Sequence, residues 1–386
     1  MSAERLRRSL HAVAPPDALA AERRAWAVVR TVYLEREPIR RRRRPRWSLV
    51  FVGVAAALAA LAGTPAGPAV VGAIRDAVRG GEEARPALSS LPSPGRLLVS
   101  TPNGVWVLRA DGSKRRLGDY RQASWSPAGK FVVATDGRQV YAVEPDTGEV
   151  RWAVPRPRAA DARWGPGLGF RVAYRSGATL RVVAGDGMDD RLLAGSVAPV
   201  APAWRPVPAG VSGPYVLAYA TRGGSVRVVD VDSRRILWGA RVGHVIGLAW
   251  SADARRLAVV TPGAVRLFSG GGTRLDGIAA PAGMRIRAGA YAPKGPPLLA
   301  LLRTDGHAGE AVLVGANGRA RVLSRNPGRL AGLAWSADGS RLLVGWPSAG
   351  EWLFLPVGGG RPVAVSAVGR DFNGFYPRVA EWCCSR

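Results

Sequence analysis

The residue types that could carry chemistry in this 386-residue chain are a few histidines, a short acidic group and a pair of cysteines. The three histidines, His11, His244 and His307, are widely separated in the sequence. The chain contains no Gly-x4-Gly-Lys-Ser/Thr phosphate loop, no His-Glu-x-x-His zinc helix and no Gly-x-Ser-x-Gly nucleophile turn. We therefore predict no catalytic residue, no metal site and no cofactor, and we expect a protein that is not an enzyme.

Asp186, Asp189 and Asp190 form the acidic group and suggest a cation-binding loop. Their spacing is not that of an EF-hand loop, however, in which oxygen ligands recur at fixed alternating positions. We interpret the three aspartates as the solvated tip of a hairpin. His244 is likewise interpreted as a residue that makes a structural hydrogen bond rather than as a ligand.

The two cysteines, Cys383 and Cys384, are adjacent and lie at the C-terminal end of the sequence. Adjacent residues cannot link distant parts of a fold, so we expect inert or loosely oxidised thiols. A vicinal disulfide and a bridge to another chain are the alternatives, and an oxidising exterior permits both.

A repeat organises most of the chain and must position these groups. In residues 248–260 an apolar strand ends on an aromatic anchor, a Ser-x-Asp/Gly turn follows, and a second apolar strand begins; residues 123–134 and 333–344 repeat this pattern. Alternating strands follow, so that one unit holds about four short strands. The anchors recur at intervals of 39 to 47 residues, which is the spacing of propeller blades. They are Trp125, Trp164, Trp204, Trp250, Tyr291, Trp335 and Trp382.

The two ends of the repeat decide the number of blades. Residues 95–100 and 104–109 form strands of a unit that lacks its anchor, and residues 377–382 form an anchor strand that lacks its unit. If these fragments complete each other, the chain folds as an all-β, seven-bladed β-propeller whose closure removes the free sheet edges. A six-bladed ring, with the C-terminus as an appendage, is the alternative.

Three local motifs resemble those of known propeller families. Residues 125–130, Trp-Ser-Pro-Ala-Gly-Lys, resemble the Trp-Ser-Pro-Asp-Gly hairpin of TolB-like propellers. Gly243-His244, placed six residues before Trp250, is similar to the WD-repeat pattern, although the Trp-Asp dipeptide is absent. Residues 140–152 look like the strand-turn-strand unit of pyrroloquinoline-quinone-type propellers. The resemblances agree on a propeller but not on a family, and propellers host unrelated functions.

The net charge of +27 raises the question of nucleic-acid binding. Only Lys114, Lys130 and Lys294 are lysines among the 55 basic residues, a bias that indicates GC-rich coding rather than phosphate recognition. The repeat region also shows no compact basic cluster interleaved with stacking aromatic residues. We therefore do not expect the propeller to bind nucleic acid.

Residues 1–46 form a basic head for which the sequence predicts two short helices, separated by Pro15-Pro16. In the second helix the 3.6-residue period places four apolar residues on one face. This face either packs on the first helix or the membrane surface, or docks a cytoplasmic partner. Its residues are Leu19, Trp26, Val29 and Tyr33.

An arginine-rich run at 40–46 is followed at once by an uncharged, alanine-rich and leucine-rich run. Residues 47–67 are long enough for one transmembrane helix of near-minimal length. By the positive-inside rule the head is cytoplasmic, and the propeller, residues 95–386, is extracytoplasmic beyond a juxtamembrane helix and linker at 68–94. A cleaved export signal is the competing interpretation, because Ala60, Leu61 and Ala62 fit a small-x-small cleavage site.

This layout resembles that of actinobacterial single-span membrane proteins, some of which are anti-sigma factors that hold a sigma factor at the membrane. The His-x3-Cys-x2-Cys zinc motif of many anti-sigma heads is missing, since the head contains His11 and no cysteine. Two hypotheses follow. The protein is either a membrane-anchored binding or scaffolding module that recognises a protein or another envelope ligand, or a transmembrane regulator whose cytoplasmic helices sequester a partner under control of the propeller.

Overall fold

The computed structural model describes residues 90–167, 171–207 and 214–384. The predicted head at 1–46, the predicted span at 47–67 and the docking face of Leu19, Trp26, Val29 and Tyr33 lie outside these residues. The described part of the chain forms 28 β-strands and one 3-10 helix at Val368–Phe372. No helix in that part is long and apolar enough to cross a bilayer.

The strands are numbered in chain order and fall into blades of four. Blade 1 consists of β1 (Arg96–Thr101), β2 (Gly104–Leu108), β3 (Lys114–Gly118) and the last strand, β28 (Arg378–Cys383). Blades 2 to 4 consist of β4 (Gln122–Trp125), β5 (Val132–Thr135), β6 (Gln139–Val143), β7 (Val150–Pro155), β8 (Ala159–Trp164), β9 (Arg171–Ser176), β10 (Thr179–Ala184), β11 (Arg191–Ala194), β12 (Ala203–Trp204), β13 (Val216–Ala220), β14 (Ser225–Asp230) and β15 (Ile236–Arg241). Blades 5 to 7 consist of β16 (Gly247–Trp250), β17 (Arg256–Val260), β18 (Ala264–Ser269), β19 (Arg274–Ala279), β20 (Arg285–Tyr291), β21 (Leu299–Thr304), β22 (Ala308–Val314), β23 (Ala320–Pro327), β24 (Ala331–Trp335), β25 (Arg341–Trp346), β26 (Glu351–Pro356) and β27 (Val363–Val365).

Each blade is a four-stranded antiparallel sheet, and the described strands form seven such sheets. Within a blade the strands are named A to D, where A is β28 in blade 1 and the first strand of every other blade. The A strands contact one another around the ring: β4 with β8, β16 with β20, β20 with β24, β24 with β28, and β28 with β4. The predicted all-β, seven-bladed propeller is confirmed, and the six-bladed alternative is wrong.

The two ends of the propeller complete the first blade together. β28 pairs antiparallel with β1, with Leu97 opposite Trp382. The strands predicted at 95–100, 104–109 and 377–382 match β1, β2 and β28 to within one residue. The Trp382 ring also contacts Phe354 of blade 7, with 5.7 Å between ring centroids. The C-terminal strand therefore fills the seam between blades 7 and 1.

The turn between strands A and B explains the repeated Trp-Ser motif. In blade 5 the Ser251 hydroxyl accepts a hydrogen bond from the backbone N–H of Arg256 at 2.9 Å and donates one to the Asp253 carboxylate at 2.6 Å. Blade 7 repeats both bonds at Ser336, at 2.9 and 2.5 Å. Both serines are fully buried. The hydroxyl thus satisfies a backbone donor inside the turn and fixes the angle at which strand B leaves strand A.

The anchors occupy the seams between blades. Six of the seven are buried, and Trp164 is half-buried. In three seams the indole N–H donates a hydrogen bond to the carbonyl of the residue just before the anchor of the preceding blade, which joins the blades by a directed contact as well as by packing. These bonds run from Trp204 to Arg163 (3.0 Å), from Trp250 to Ala203 (3.2 Å) and from Trp335 to Ala290 (3.0 Å).

At the rim of the ring, two D strands carry a tryptophan that packs on the next blade. The Trp238 indole donates to the Gly270 carbonyl at 3.2 Å and lies against Gly272, where a Cβ atom would come within 2.7 Å of the ring. Trp152 makes the same kind of contact with Gly187. The close approach of each indole requires glycine in the turn between strands C and D.

The turns form two opposite faces. The A–B and C–D turns form the hairpin face, and the B–C turns with the D–A connectors form the connector face. The chain joins the propeller on the hairpin face, where the Leu91 N–H donates to the Ala110 carbonyl at 2.9 Å and the Ser93 hydroxyl lies 3.4 Å from that of Ser340. Leu91 and Ser93 are buried, so the last residues of the sequence-predicted linker pack as part of the propeller.

Candidate functional site

A groove runs along the connector face over blades 4 to 6. Three adjoining cavities of about 560, 450 and 340 Å³ form it. The first and second cavities share His244 and Ile246, and the second and third share Arg285 and Arg287. Four connectors and three B–C turns supply its walls, so the groove is assembled from segments that are far apart in the sequence.

Four arginines and one histidine line the groove, and all five side chains are exposed. Among residues 90–167, 171–207 and 214–384, none of these side chains has a hydrogen-bond or ion-pair partner. The positive charge of the four arginines therefore faces solvent instead of a carboxylate of the fold. The five residues are Arg222, His244, Arg285, Arg287 and Arg329.

The start of β20 places two of these arginines side by side. Ile286 is buried while Arg285 and Arg287 are exposed, and a β-bulge between Ile286 and Ala288 leaves Arg287 without a partner residue on β21. Both arginines line the same two cavities, so their side chains face the same part of the groove. Arg329, in the connector that leads to blade 7, lines the same 340 Å³ cavity.

Asp305 is the one carboxylate among the described residues that line the groove. It accepts hydrogen bonds from the backbone N–H groups of Ala308 at 2.7 Å and His307 at 2.8 Å. These two bonds are the largest causes that hold the pKa of Asp305 below its ordinary value. Its nearest cation is Arg325, at 3.5 Å, which is not a lining residue. The Asp305 carboxylate is thus hydrogen-bonded within its own turn. Because four arginines and a single carboxylate line the groove, its net charge is positive.

The floor of the groove is formed by small, mostly aliphatic side chains. It consists of the uncharged lining residues, which are glycine, proline, alanine, threonine, valine and isoleucine, and no Trp, Tyr or Phe is among the described lining residues. A groove without aromatic faces has no platform on which nucleobases can stack. The groove therefore offers a ligand guanidinium hydrogen-bond donors and a mostly apolar surface.

A second pocket, of about 490 Å³, opens on the hairpin face between blades 2 and 3. Phe131 and Trp164 stack in its wall, with 5.9 Å between ring centroids. Arg171 also lines it, but its guanidinium donates to Asp232 at 3.2 Å and lies over the Tyr215 ring at 5.5 Å. The groups in this pocket are therefore largely engaged in contacts of the fold.

The acidic group differs from the prediction at one residue. Asp186 and Asp189 are exposed, as expected of a hairpin tip. The Asp190 side chain, by contrast, is only 8% exposed, accepts a hydrogen bond from the Tyr174 hydroxyl at 2.7 Å and pairs with Arg181 at 3.1 Å. The interpretation of Asp190 as solvated is wrong, because neighbouring strands supply it with partners. No group of three or more His, Cys, Asp or Glu residues in the described chain could hold a metal ion.

Two other sequence interpretations change. His244 lines the groove, and its side chain has no hydrogen-bond partner among the described residues, so it is not the structural hydrogen-bonding residue that we expected. Cys383 and Cys384 are joined in a vicinal disulfide, which is one of the two alternatives to inert or loosely oxidised thiols. The Cys384 side chain lies beside Gly129, in the A–B turn of blade 2.

The groove arginines carry little sequence signal. The Arg-Ile-Arg alternation at 285–287, at the start of an anchor strand, indicates two exposed cations on one side of a strand. Arg222 and Arg329 have no comparable pattern, and arginine is abundant throughout the chain. Only the fold brings the connectors together.

No protein-family model matches the chain, and no curated protein matches it. Among solved structures the chain is similar to hydrazine synthase of Kuenenia stuttgartiensis, with 13% identity and a TM-score of 0.46, covering 61% of this chain and 75% of that chain. It is also similar to a eukaryotic initiation factor, with 12% identity and a TM-score of 0.44, covering 78% of this chain and 92% of that chain. These likenesses carry no argument about function, and the TolB-like and WD-repeat motifs remain resemblances.

Proposed function

We propose that the protein is a binding or scaffolding module that is anchored in the cell membrane and holds an extracytoplasmic ligand in the groove of the connector face. The observation that carries this proposal is the continuous groove, whose four arginines have no partner among the described residues. Concave surfaces with a few convergent polar groups are the usual sites of ligand binding.

The sequence supports the membrane anchor. The basic run at 40–46 and the uncharged run at 47–67 favour a single span with a cytoplasmic N-terminus. The chain joins the propeller at Leu91 and Ser93 on the hairpin face, whereas the groove lies on the connector face. A tether attached at that point and a ligand in the groove would therefore use different faces.

A transmembrane regulator is the second candidate. The amphipathic pattern of Leu19, Trp26, Val29 and Tyr33 supports it, because such a face can dock a cytoplasmic partner such as a sigma factor. In this version of the function, ligand binding in the groove controls release of that partner.

Site-specific photo-crosslinking in intact cells tests whether the groove holds a ligand. A photoreactive amino acid replaces His244 in the groove, in the connector that leads to blade 5, and the matched control replaces Arg274, which is exposed on the hairpin face of blade 5. We expect a discrete adduct from position 244 that is absent from position 274. No adduct from position 244, or the same adducts from both positions, would show that the groove is not the binding surface.

A further inference from the structure

We infer that the ligand of the groove is an extended acidic peptide segment whose carboxylates pair with Arg285, Arg287 and Arg329. This inference rests on the proposed function, because it assigns the chemistry of the partner that the groove holds. Four observations carry it: the shared cavity of the arginines, their lack of partners, the absence of aromatic residues from the described lining and the apolar floor.

Arg285 and Arg287 face the same stretch of the groove. Buried Ile286 separates the two exposed arginines at the bulge of β20, and both line the same two cavities. An extended peptide carries the side chains of every second residue on one side, about 7 Å apart. Acidic residues at alternate positions can thus meet both arginines at once, and Arg329 in the same cavity can meet a third carboxylate.

The lack of partners defines the charge of the ligand. Arginine donates two parallel hydrogen bonds to a carboxylate, and this geometry favours anions with planar, bidentate acceptors. Within the described residues the fold offers the groove only Asp305, which its own turn engages. Complementary charge must therefore come from the ligand.

The floor and walls favour a peptide over other polyanions. Nucleic acids and sugars are commonly held by stacking on aromatic side chains, and the described lining residues include none. A floor of glycine and proline turns with aliphatic side chains such as Val200 and Ile246 suits a backbone and small apolar side chains between the acidic ones. The groove is also open along three cavities, which fits a linear segment better than a compact anion.

The test measures binding of defined probes to the purified full-length chain in detergent. The probe is a short fluorescent peptide with glutamate at alternate positions, and its glutamine counterpart is the neutral control. The groove variant is Arg285→Gln/Arg287→Gln. The matched control, Arg274→Gln/Arg319→Gln, removes the same charge from exposed residues of the hairpin face.

We expect the glutamate peptide to bind, the glutamine peptide not to bind, and the groove variant to weaken binding by about tenfold, since two exposed ion pairs are lost. The hairpin-face variant should bind as wild type does. Unchanged thermal unfolding of both variants would show that the loss is local, because all four arginines are exposed. Binding should also weaken with added salt.

Three results would overturn the inference: no binding of the glutamate peptide, an equal loss in both variants, or tighter binding of polyphosphate or single-stranded DNA with the same dependence on Arg285 and Arg287. An equal loss would assign binding to the overall charge of +27. The crosslink at position 244 separates this failure from failure of the proposed function. An adduct without peptide binding refutes only the acidic chemistry, whereas the absence of any adduct refutes the groove as the binding surface.

Discussion

At the scale of single residues, the serine that follows an anchor in three blades stabilises the turn between strands A and B. Ser126, Ser251 and Ser336 are buried, and each accepts a hydrogen bond from a backbone N–H five residues further along. A buried hydroxyl stabilises a fold only when it is bonded, and removing it leaves its partners unsatisfied. In these three blades the serine of the Trp-Ser motif therefore has a structural role in the turn.

Replacing Ser251 by alanine should lower the free energy of unfolding by about 1 to 3 kcal/mol, because the Arg256 N–H and the Asp253 carboxylate each lose a buried partner. Urea denaturation measures this change. Replacing the exposed Ser233 by alanine is the control and should leave the free energy of unfolding nearly unchanged.

The same variant should also change the pH dependence of stability. The Ser251 hydrogen bond is the largest cause that holds the pKa of Asp253 below its ordinary value of 3.8. A carboxyl with a lowered pKa stabilises the folded state above its unfolded pKa, and this stabilisation is lost as the pH falls through the folded pKa. The difference between wild type and Ser251→Ala should therefore shrink below about pH 4. An equal difference at neutral and acidic pH would show that Asp253 has no part in the effect.

Residue-scale features are predictable where they are local. The turn serines and their aspartates lie within a few residues of each other, so the sequence is sufficient to place them. The partners of Asp190 come from different strands, and the carbonyl partners of the anchor indoles carry no side-chain signature. Such contacts depend on the assembled ring and have no pattern in the sequence.

At the scale of elements, neighbouring blades are joined at the axis and at the rim. The anchors supply the inner joints, which their regular spacing predicts. The rim joints consist of Trp152 on Gly187 and Trp238 on Gly272, and within residues 90–167, 171–207 and 214–384 they occur in two seams. The groove escapes sequence prediction for a related reason, since its four arginines come from a B–C turn, the start of β20 and a connector, in a chain with 55 basic residues.

Replacing Gly272 by alanine should destabilise the protein more than replacing Gly318 by alanine. Both glycines have a positive φ, of 93° and 77°, and their N–H groups close equivalent C–D turns at 3.0 Å. Alanine costs about 1 to 2 kcal/mol at either position because of its left-handed backbone. At Gly272 the new Cβ would also lie 2.7 Å from the Trp238 ring, whereas nothing lies within 4 Å at Gly318.

The extra cost at Gly272 should be about 1 to 3 kcal/mol, as for other overpacked sites. Thermal or urea unfolding of the two variants measures it, and tryptophan fluorescence should report displacement of Trp238 only in Gly272→Ala. Equal destabilisation of the two variants would mean that the rim contact adds nothing to the backbone strain.

At the scale of the whole molecule, closure of the ring makes the C-terminal strand part of the first blade. Incomplete units at the two ends of the repeat made this pairing predictable, because each end supplies what the other lacks. The contacts that secure it were not predictable. The Glu381 carboxylate accepts hydrogen bonds from the Ser124 hydroxyl at 2.9 Å and the Trp125 N–H at 2.8 Å, so β28 holds blade 2 as well as blade 1.

Deleting residues 377–386 from the full-length chain should destabilise the whole propeller rather than fray one end. The deletion leaves β1 without its partner strand, removes the buried Trp382 ring from the seam, and leaves the Trp125 N–H without its acceptor. Loss of a buried tryptophan alone costs about 3 to 5 kcal/mol. In a closed array every blade depends on two neighbours, so opening the ring should destabilise all seven blades and not only those next to the deletion.

Hydrogen exchange followed by mass spectrometry can locate the effect of the deletion. Protection of backbone amides should fall in β13 and β14 of blade 4, far from the deletion, as well as in β1. Trp382→Ala keeps the backbone pairing of β28 and should give a smaller loss in the same strands. If blade 4 keeps its full protection after the deletion, the blades are coupled only locally and closure is not what stabilises the ring.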